Sequence, residues 1–259
     1  LYYHIILQTM RVLVSTLVLG GSRGIGLEIA SAFASDGNHI FINYAGDDGC
    51  AAAAQQRVTD LGGTCTLIKS DVSTPEGCTT VAKAVGEKTD RVDQIVHSAV
   101  MAYPTSILGA EPARFDKAVS VNGLSLLYIT QAFLHLLSRG SSIFYLSSRG
   151  GRTVVENYAA IGVSKALAES LVRYLAVELA PRGIRINCIA PGIVETEAVR
   201  AVFGRNAGNI VAQAGENNPS GRGVQGRDYT ELMRFLASPA ADYITGQTFF
   251  VNGGANLHA

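Results

Sequence analysis

Short β-branched runs alternate with alanine-rich, helix-forming stretches along most of this 259-residue chain, and that alternation constrains the fold more than any other feature. Strand-sized runs fall at residues 12–19, 39–43, 65–70, 92–97, 142–146, 184–189 and 247–251. Helices are expected between them at 24–34, 50–61, 75–88, 112–137, 157–180 and 228–237. Strands joined through helices pair in parallel, and their crossovers are right-handed. The expected fold class is α/β: a doubly wound parallel sheet of about seven strands, helices on both faces, and a ligand crevice at the strand C-termini. Residues 197–226 break the pattern. That stretch is rich in Gly, Asn and Arg and has no strand-like run, so it reads as a functional lid, costly to order and mobile without ligand.

Composition narrows the class. Apolar residues make up 47% of the chain and charged ones 16%, as in a well-buried globular core. The net charge is zero with scattered basic residues, which argues against nucleic acid or an anionic membrane as the main partner. Cys50, Cys65, Cys78 and Cys188 form no CxxC and no Cys/His ligand spacing; a reduced, cytoplasmic protein without a metal site is expected. The longest apolar run, at 12–19, is too short to span a bilayer. No internal repeat is present, so residues 10–259 read as one domain. Residues 1–9 precede the first methionine, Met10, and read as an N-terminal extension.

Two motifs carry chemistry. Leu19-Gly20-Gly21-Ser22-Arg23-Gly24-Ile25-Gly26 follows the first expected strand and opens a helix. Glycines there allow a tight turn and close approach of the backbone to a pyrophosphate, which the helix N-terminus attracts with its free N–H groups and positive dipole end. The second motif is a spacing: six residues lie between Tyr158 and Lys165, and Ile161 holds the nearer position, with only three residues between it and the lysine. On a helix, steps of four and seven residues advance the side chain by about 400° and 700°, so either returns it to the lysine's face. The longer step sets the phenol about 10.5 Å away along the axis.

The glycine spacing resembles that of the short-chain dehydrogenase/reductase family, whose fold is Rossmann-type, and the resemblance runs from about Arg11 to Gly254. It implies adenine contacts at Asp71 and Val72, a strand end at Ser98 and Ala99, and a nicotinamide-side loop at Pro191, Gly192, Ile193 and Thr196. Asn122 matches the family's structural and proton-relay Asn, and reads here as a tie for a helix kink. Ser148 matches the catalytic Ser, though a serine at a strand end serves equally to satisfy backbone groups. Leu19 replaces the usual Thr, and His97-Ser98 replaces an Asn pair, changing bonds that brace the site. His97 reads as a wall rather than a base. His4, His39, His97, His135 and His258 have no metal spacing, and Tyr128 and Tyr174 read as core or interface.

The stretch Glu156-Asn157-Tyr158 to Lys165, with Arg173 to Leu179 after it, is most similar to the divergent enoyl-ACP reductases, the NADPH-dependent type III form in particular. That resemblance implies that Lys165 holds the nicotinamide ribose and that Tyr158 supports the thioester carbonyl. Conjugate reduction fits the spacing, because charge develops on an oxygen displaced from the carbon that receives hydride. The implied substrate is a small acyl thioester on acyl carrier protein or CoA, in fatty-acid or polyketide synthesis, and the implied assembly is a homotetramer. NADPH is expected over NADH: Asn43 and its neighbours put no acid at the end of the second strand, and Arg23 can reach a 2′-phosphate. Asp47 and Asp48 cut against this unless they form a solvated turn. A carbonyl reductase with a displaced tyrosine, or a non-catalytic dinucleotide-binding protein, remains open at this stage.

Overall fold

The computed structural model describes residues 14–34, 37–255 and 257. The expected extension at 1–9, residues Val12 and Leu13 of the first expected strand, and His4 and His258 lie outside the described residues. The strands are β1 (Ser15–Leu19), β2 (His39–Tyr44), β3 (Thr64–Lys69), β4 (Gln94–His97), β5 (Ser142–Leu146), β6 (Arg185–Pro191) and β7 (Thr248–Val251). They pair in parallel throughout, in the order β3-β2-β1-β4-β5-β6-β7. The helices are α1 (Gly24–Phe33), α2 (Asp48–Asp60), α3 (Pro75–Gly86), α4 (Pro112–Val119), α5 (Ser125–Phe133), α6 (Ala159–Leu179), α7 (Glu197–Phe203), α8 (Ala207–Glu216) and α9 (Gly226–Ala237).

Alternation along the strands divides the core in two. Leu17 and Leu19 of β1 face a cluster that includes Val81 and Val85 of α3, Ile129 of α5 and Val172 of α6. Val18, between them, faces Ile29 of α1, Val58 of α2 and Met233 of α9. A sheet covered on both faces has to be apolar on both, and β1 is buried along its whole length. The strand order reverses between β1 and β4, which opens a crevice above their C-terminal ends. Among the described residues no helix is long and apolar enough to cross a membrane.

Three elements differ from expectation. The single helix expected at 112–137 is split by a widened π turn at Ser120–Leu124. There the buried Asn122 amide accepts from Met101 N–H at 2.7 Å and donates to Met101 C=O at 3.1 Å, tying the turn to the loop after β4. Within 197–226, read from sequence as a lid with no strand and given no helix, α7 and α8 form; Val199, Phe203, Ile210, Val211 and Ala214 recur at helical spacing among the glycines and asparagines. Finally, α6 starts at Ala159, so Tyr158 caps the helix instead of lying inside it.

Candidate active site

The crevice holds a cavity of about 1060 Å³ that reaches from the glycine turn to Tyr158. At one end, Gly20 has φ +69°, and an added Cβ would lie 2.7 Å from the Ala99 Cα. Only a bare backbone allows β1 and the loop after β4 to come so close. Arg23, the residue before α1, makes no side-chain cap, so the first N–H groups of α1 have no such partner, and Gly24 and Ile25 line the cavity. That cradle fits the diphosphate of a nicotinamide dinucleotide.

Of the cofactor residues expected from sequence, Gly20, Ser22, Arg23, Gly24, Ile25, Asn43, Asp71, Val72, Ser98, Ala99, Lys165, Pro191, Gly192, Ile193 and Thr196 all line this cavity. Gly26 does not; it packs against the Gly20 carbonyl. Several of these side chains are already engaged. Asn43 donates to the carbonyls of Ile68 and Ser70, tying β2 to β3. Asp71 accepts from Lys117 Nζ at 2.6 Å, and that hydrogen-bonded ammonium, which sequence reasoning missed, helps to hold its carboxyl below the usual range. Arg23 pairs with Glu197 at the start of α7. Asp47 caps α2 by accepting from Cys50 N–H, and Asp48, the first residue of α2, binds Lys69 and the Tyr44 hydroxyl; the two exposed acids open a helix instead of forming the expected turn, and Asp47 lines the cavity.

At the other end stand Ser148, Tyr158 and Lys165. Asn157, just before Tyr158, has φ 56°, a left-handed conformation that Asn tolerates. Thr105 N–H donates to the Asn157 carbonyl and Ala159 N–H to the Thr105 carbonyl, which pins Tyr158 between them. Gly150 completes the seat, since a Cβ there would meet the Tyr158 ring at 2.6 Å. Tyr158 shares a side-chain hydrogen bond with Ser148, and burial pushes its phenol above the ordinary range, so it stays protonated as a donor. Ile161 is 1% exposed and does not line the cavity. About two turns along α6 from Tyr158, Lys165 donates to the Leu146 carbonyl at 2.6 Å. Burial brings its pKa down to about 8, against the pull of Cys188 and Glu169.

Two further side chains escaped the sequence reading. Glu169 is buried four residues after Lys165, accepting from Ser147 Oγ at 2.6 Å and from Arg152 Nε at 2.9 Å, which fastens the loop after β5 to α6. Helical spacing from Lys165 could have found it. Tyr145 of β5 lies beneath Lys165 and left no signal beyond its place in a buried strand. His97, fully buried, donates or accepts at Ser125 Oγ and is held down to about 3 by burial and then by the charge of Lys165, which keeps it neutral; it stands behind the site and does not line the cavity as the expected wall would. Tyr128 packs against the core, and Tyr174 is exposed on α6.

Known proteins resemble the chain in sequence and fold. The sequence pattern of a family described as Enoyl-(Acyl carrier protein) reductase matches residues 20–256. A 1-cyclohexenylcarbonyl-CoA reductase of Streptomyces collinus is 30% identical, over 94% of this chain and 87% of the relative. A 3-oxoacyl-[acyl-carrier-protein] reductase of Chlamydia pneumoniae is also 30% identical, over 92% of this chain and 95% of its own length. Among solved structures, the enoyl-[acyl-carrier-protein] reductase (NADH) of Aquifex aeolicus superposes with a TM-score of 0.84 at 29% identity, covering 94% of this chain and 96% of that one. The chain therefore belongs to the enoyl-ACP reductase-like branch of the short-chain dehydrogenase/reductases, oxidoreductases that use a nicotinamide dinucleotide.

Proposed function

We propose that the chain is an NADPH-dependent reductase of α,β-unsaturated (enoyl) thioesters, similar to enoyl-ACP reductase III, that directs hydride to the β-carbon. The observation that carries this reading is the position of the phenol. Tyr158 lines the cavity near Lys165, whereas the nearer helical position is filled by the buried, apolar Ile161. A bound reduced nicotinamide would supply the hydride. As the carbon–carbon double bond is reduced, its π electrons move toward the thioester and charge develops on the carbonyl oxygen. Tyr158 donates a hydrogen bond to that oxygen, Ser148 orients the phenol, and Lys165 holds the ribose hydroxyls. A proton from water, taken up at the α-carbon, completes the addition of one hydride and one proton.

The acyl group fits the apolar side of the cavity, where Val199, Phe203, Ile210 and Val211 of α7 and α8 line the wall. The carrier is acyl carrier protein or CoA; the Streptomyces relative is named for a CoA thioester. The preference for NADPH rests on Asn43 in place of an acid at the end of β2 and on Arg23 at the cavity edge; Asp47, which also lines the cavity, spends one carboxylate oxygen on the α2 cap. The Aquifex enzyme is named for NADH, so a direct comparison of the two cofactors belongs with any test.

Carbonyl reduction by a displaced tyrosine is the rival reading, and the 3-oxoacyl relative favours it. A protein that binds the dinucleotide without turnover is another, resting on Leu19, His97 and Ile161. Tyr158→Phe tests the proposal. Turnover of an enoyl thioester should fall about a hundredfold or more, while NADPH affinity by fluorescence titration changes little. Lys165→Ala should impair both. A Tyr158→Phe variant with full enoyl turnover would overturn the reading.

A further inference from the structure

Behind Lys165 the chain builds an aromatic wall. The ammonium lies 4.6 Å from the centre of the Tyr145 ring. The Tyr145 hydroxyl donates to the Asn122 carbonyl in the π turn, and the His97 ring tilts against it with centroids 5.2 Å apart. His97 in turn is bonded to Ser125 Oγ at 2.6 Å. Tyr145, His97, Asn122 and Ser125 are all 0% exposed. Lys165 and Leu146, whose carbonyl takes the ammonium, line the cavity; among the described residues lining it, none of those four appears. The lysine therefore opens forward, and the space behind it is filled by rings and by polar groups bonded to one another, His97 Nδ1 being the buried atom there without a partner among the described residues.

We propose that Tyr145 is a positioning residue that seals Lys165 from behind, so that the ammonium meets water and exchanges protons only through the cavity. The inference rests on the assignment of Lys165 to the cofactor's ribose. Its consequence for the reaction is direct. A cofactor seated in front of Lys165 closes the remaining access, so the lysine has no rear supply from which to recharge Tyr158. Reduction of a ketone to an alcohol would leave the phenol deprotonated until the cavity reopens, because the phenol gives its proton to the product oxygen. Conjugate reduction would not, because the proton is taken up at the α-carbon from water on the substrate side. A sealed lysine is thus suited to the second reaction.

The groups facing Lys165 agree with a titration that belongs to the lysine. Glu169 on its own helix and Cys188 on β6 both favour its charge, against the larger effect of burial. Cys188 is itself pushed up to about 12 by burial. Burial also raises Tyr145 on β5 and the Tyr158 phenol, and holds His97 on β4 down to about 3. The two phenols, the thiol and the imidazole therefore stay neutral from about pH 7 to pH 9, where Lys165 changes charge.

The test reads cofactor binding without turnover. The dissociation constant of NADPH is measured by nicotinamide fluorescence between about pH 6.5 and 10 in the unaltered protein and in Tyr145→Phe, Tyr145→Ser and Lys165→Met. Affinity should fall through a midpoint near pH 8 as the lysine loses its charge. Tyr145→Phe keeps the ring and should keep that midpoint. Tyr145→Ser admits water behind the ammonium and should raise the midpoint by about one unit or more, toward an ordinary lysine. Lys165→Met should abolish the titration; if the titration survives there, the ribose assignment fails and not the seal. An unmoved midpoint in Tyr145→Ser, or one moved as far by Tyr145→Phe, would overturn the proposal. A second measurement needs no change at Tyr145. In ¹⁵N-lysine spectra of the NADPH-bound protein near pH 7, Lys165 should give a resolved, slowly exchanging ammonium signal, identified by its loss in Lys165→Met. Rapid exchange that erases that signal would count against the seal.

Discussion

His97 and Tyr158 show how enclosure sets what a single ionisable side chain can do. The His97 ring is buried and held neutral, with its pKa moved from 6.5 to about 3. Between those values the unfolded chain binds a proton that the folded chain does not, so stability rises with pH through this window and is lost as pH falls below 6.5. The slope from this one group is about 1.4 kcal/mol per pH unit. Urea unfolding at pH 7 and pH 5 should differ by about 2 kcal/mol more in the unaltered protein than in His97→Gln; equal differences would refute the assignment. Gly150→Ala, whose new methyl would press on the Tyr158 ring, should lower turnover with little effect on NADPH affinity. Neither residue's role was fully legible beforehand. His97 was readable from its strand-end position as a residue near the site, not as one set behind it, and Gly150 belongs to no motif; its role follows from the close approach of the Tyr158 ring.

At the scale of elements, periodicity carried the strands and most helices, because burial on two faces demands runs that can be seen in sequence. It failed where a tertiary bond overrides local preference. The break at Ser120–Leu124 is held by Asn122, whose partner Met101 lies 21 residues away; Asn122→Ala would orphan both Met101 backbone groups and should cost about 2 kcal/mol in thermal or urea unfolding. It also failed at 197–226, where abundant Gly and Asn hid the apolar stripe of α7 and α8. This segment remains the expected lid. No residue of α7 is buried, and Ala207 is the buried residue of α8, so little burial holds it closed. Proteolysis within it should slow strongly when NADPH and an enoyl thioester are added together, and equal rates with and without them would refute the lid. The Arg23–Glu197 pair joins it to the glycine turn. Both side chains are more than half exposed, so the pair adds little stability, but it occupies the guanidinium proposed for the 2′-phosphate. Glu197→Gln should therefore tighten NADPH binding severalfold without tightening NADH binding, and Arg23→Ala should remove about one to two orders of magnitude of the NADPH preference.

For the whole molecule, the doubly wound parallel sheet of seven strands and a crevice at the strand C-termini were anticipated from chain alternation and crossover handedness, while the strand order itself comes from the structure. The site was legible as a set of residues but not as a space: the engaged states of Arg23, Asn43 and Asp71 and the wall behind Lys165 come from contacts between strands far apart in sequence. The outer face of α6 carries Val163, Tyr174 and Val177 exposed, beyond what packing on the sheet uses, which supports the proposed homo-oligomer. Light scattering at micromolar concentration should give a multiple of the chain mass, a tetramer by family resemblance; a monomer mass would refute it. The most direct measurement of the central claim is NADPH oxidation at 340 nm with crotonyl-CoA and, in parallel, acetoacetyl-CoA. The expected result is turnover of the enoyl thioester with little of the keto compound. Turnover of the keto thioester alone, or of neither with NADPH bound, would contradict it.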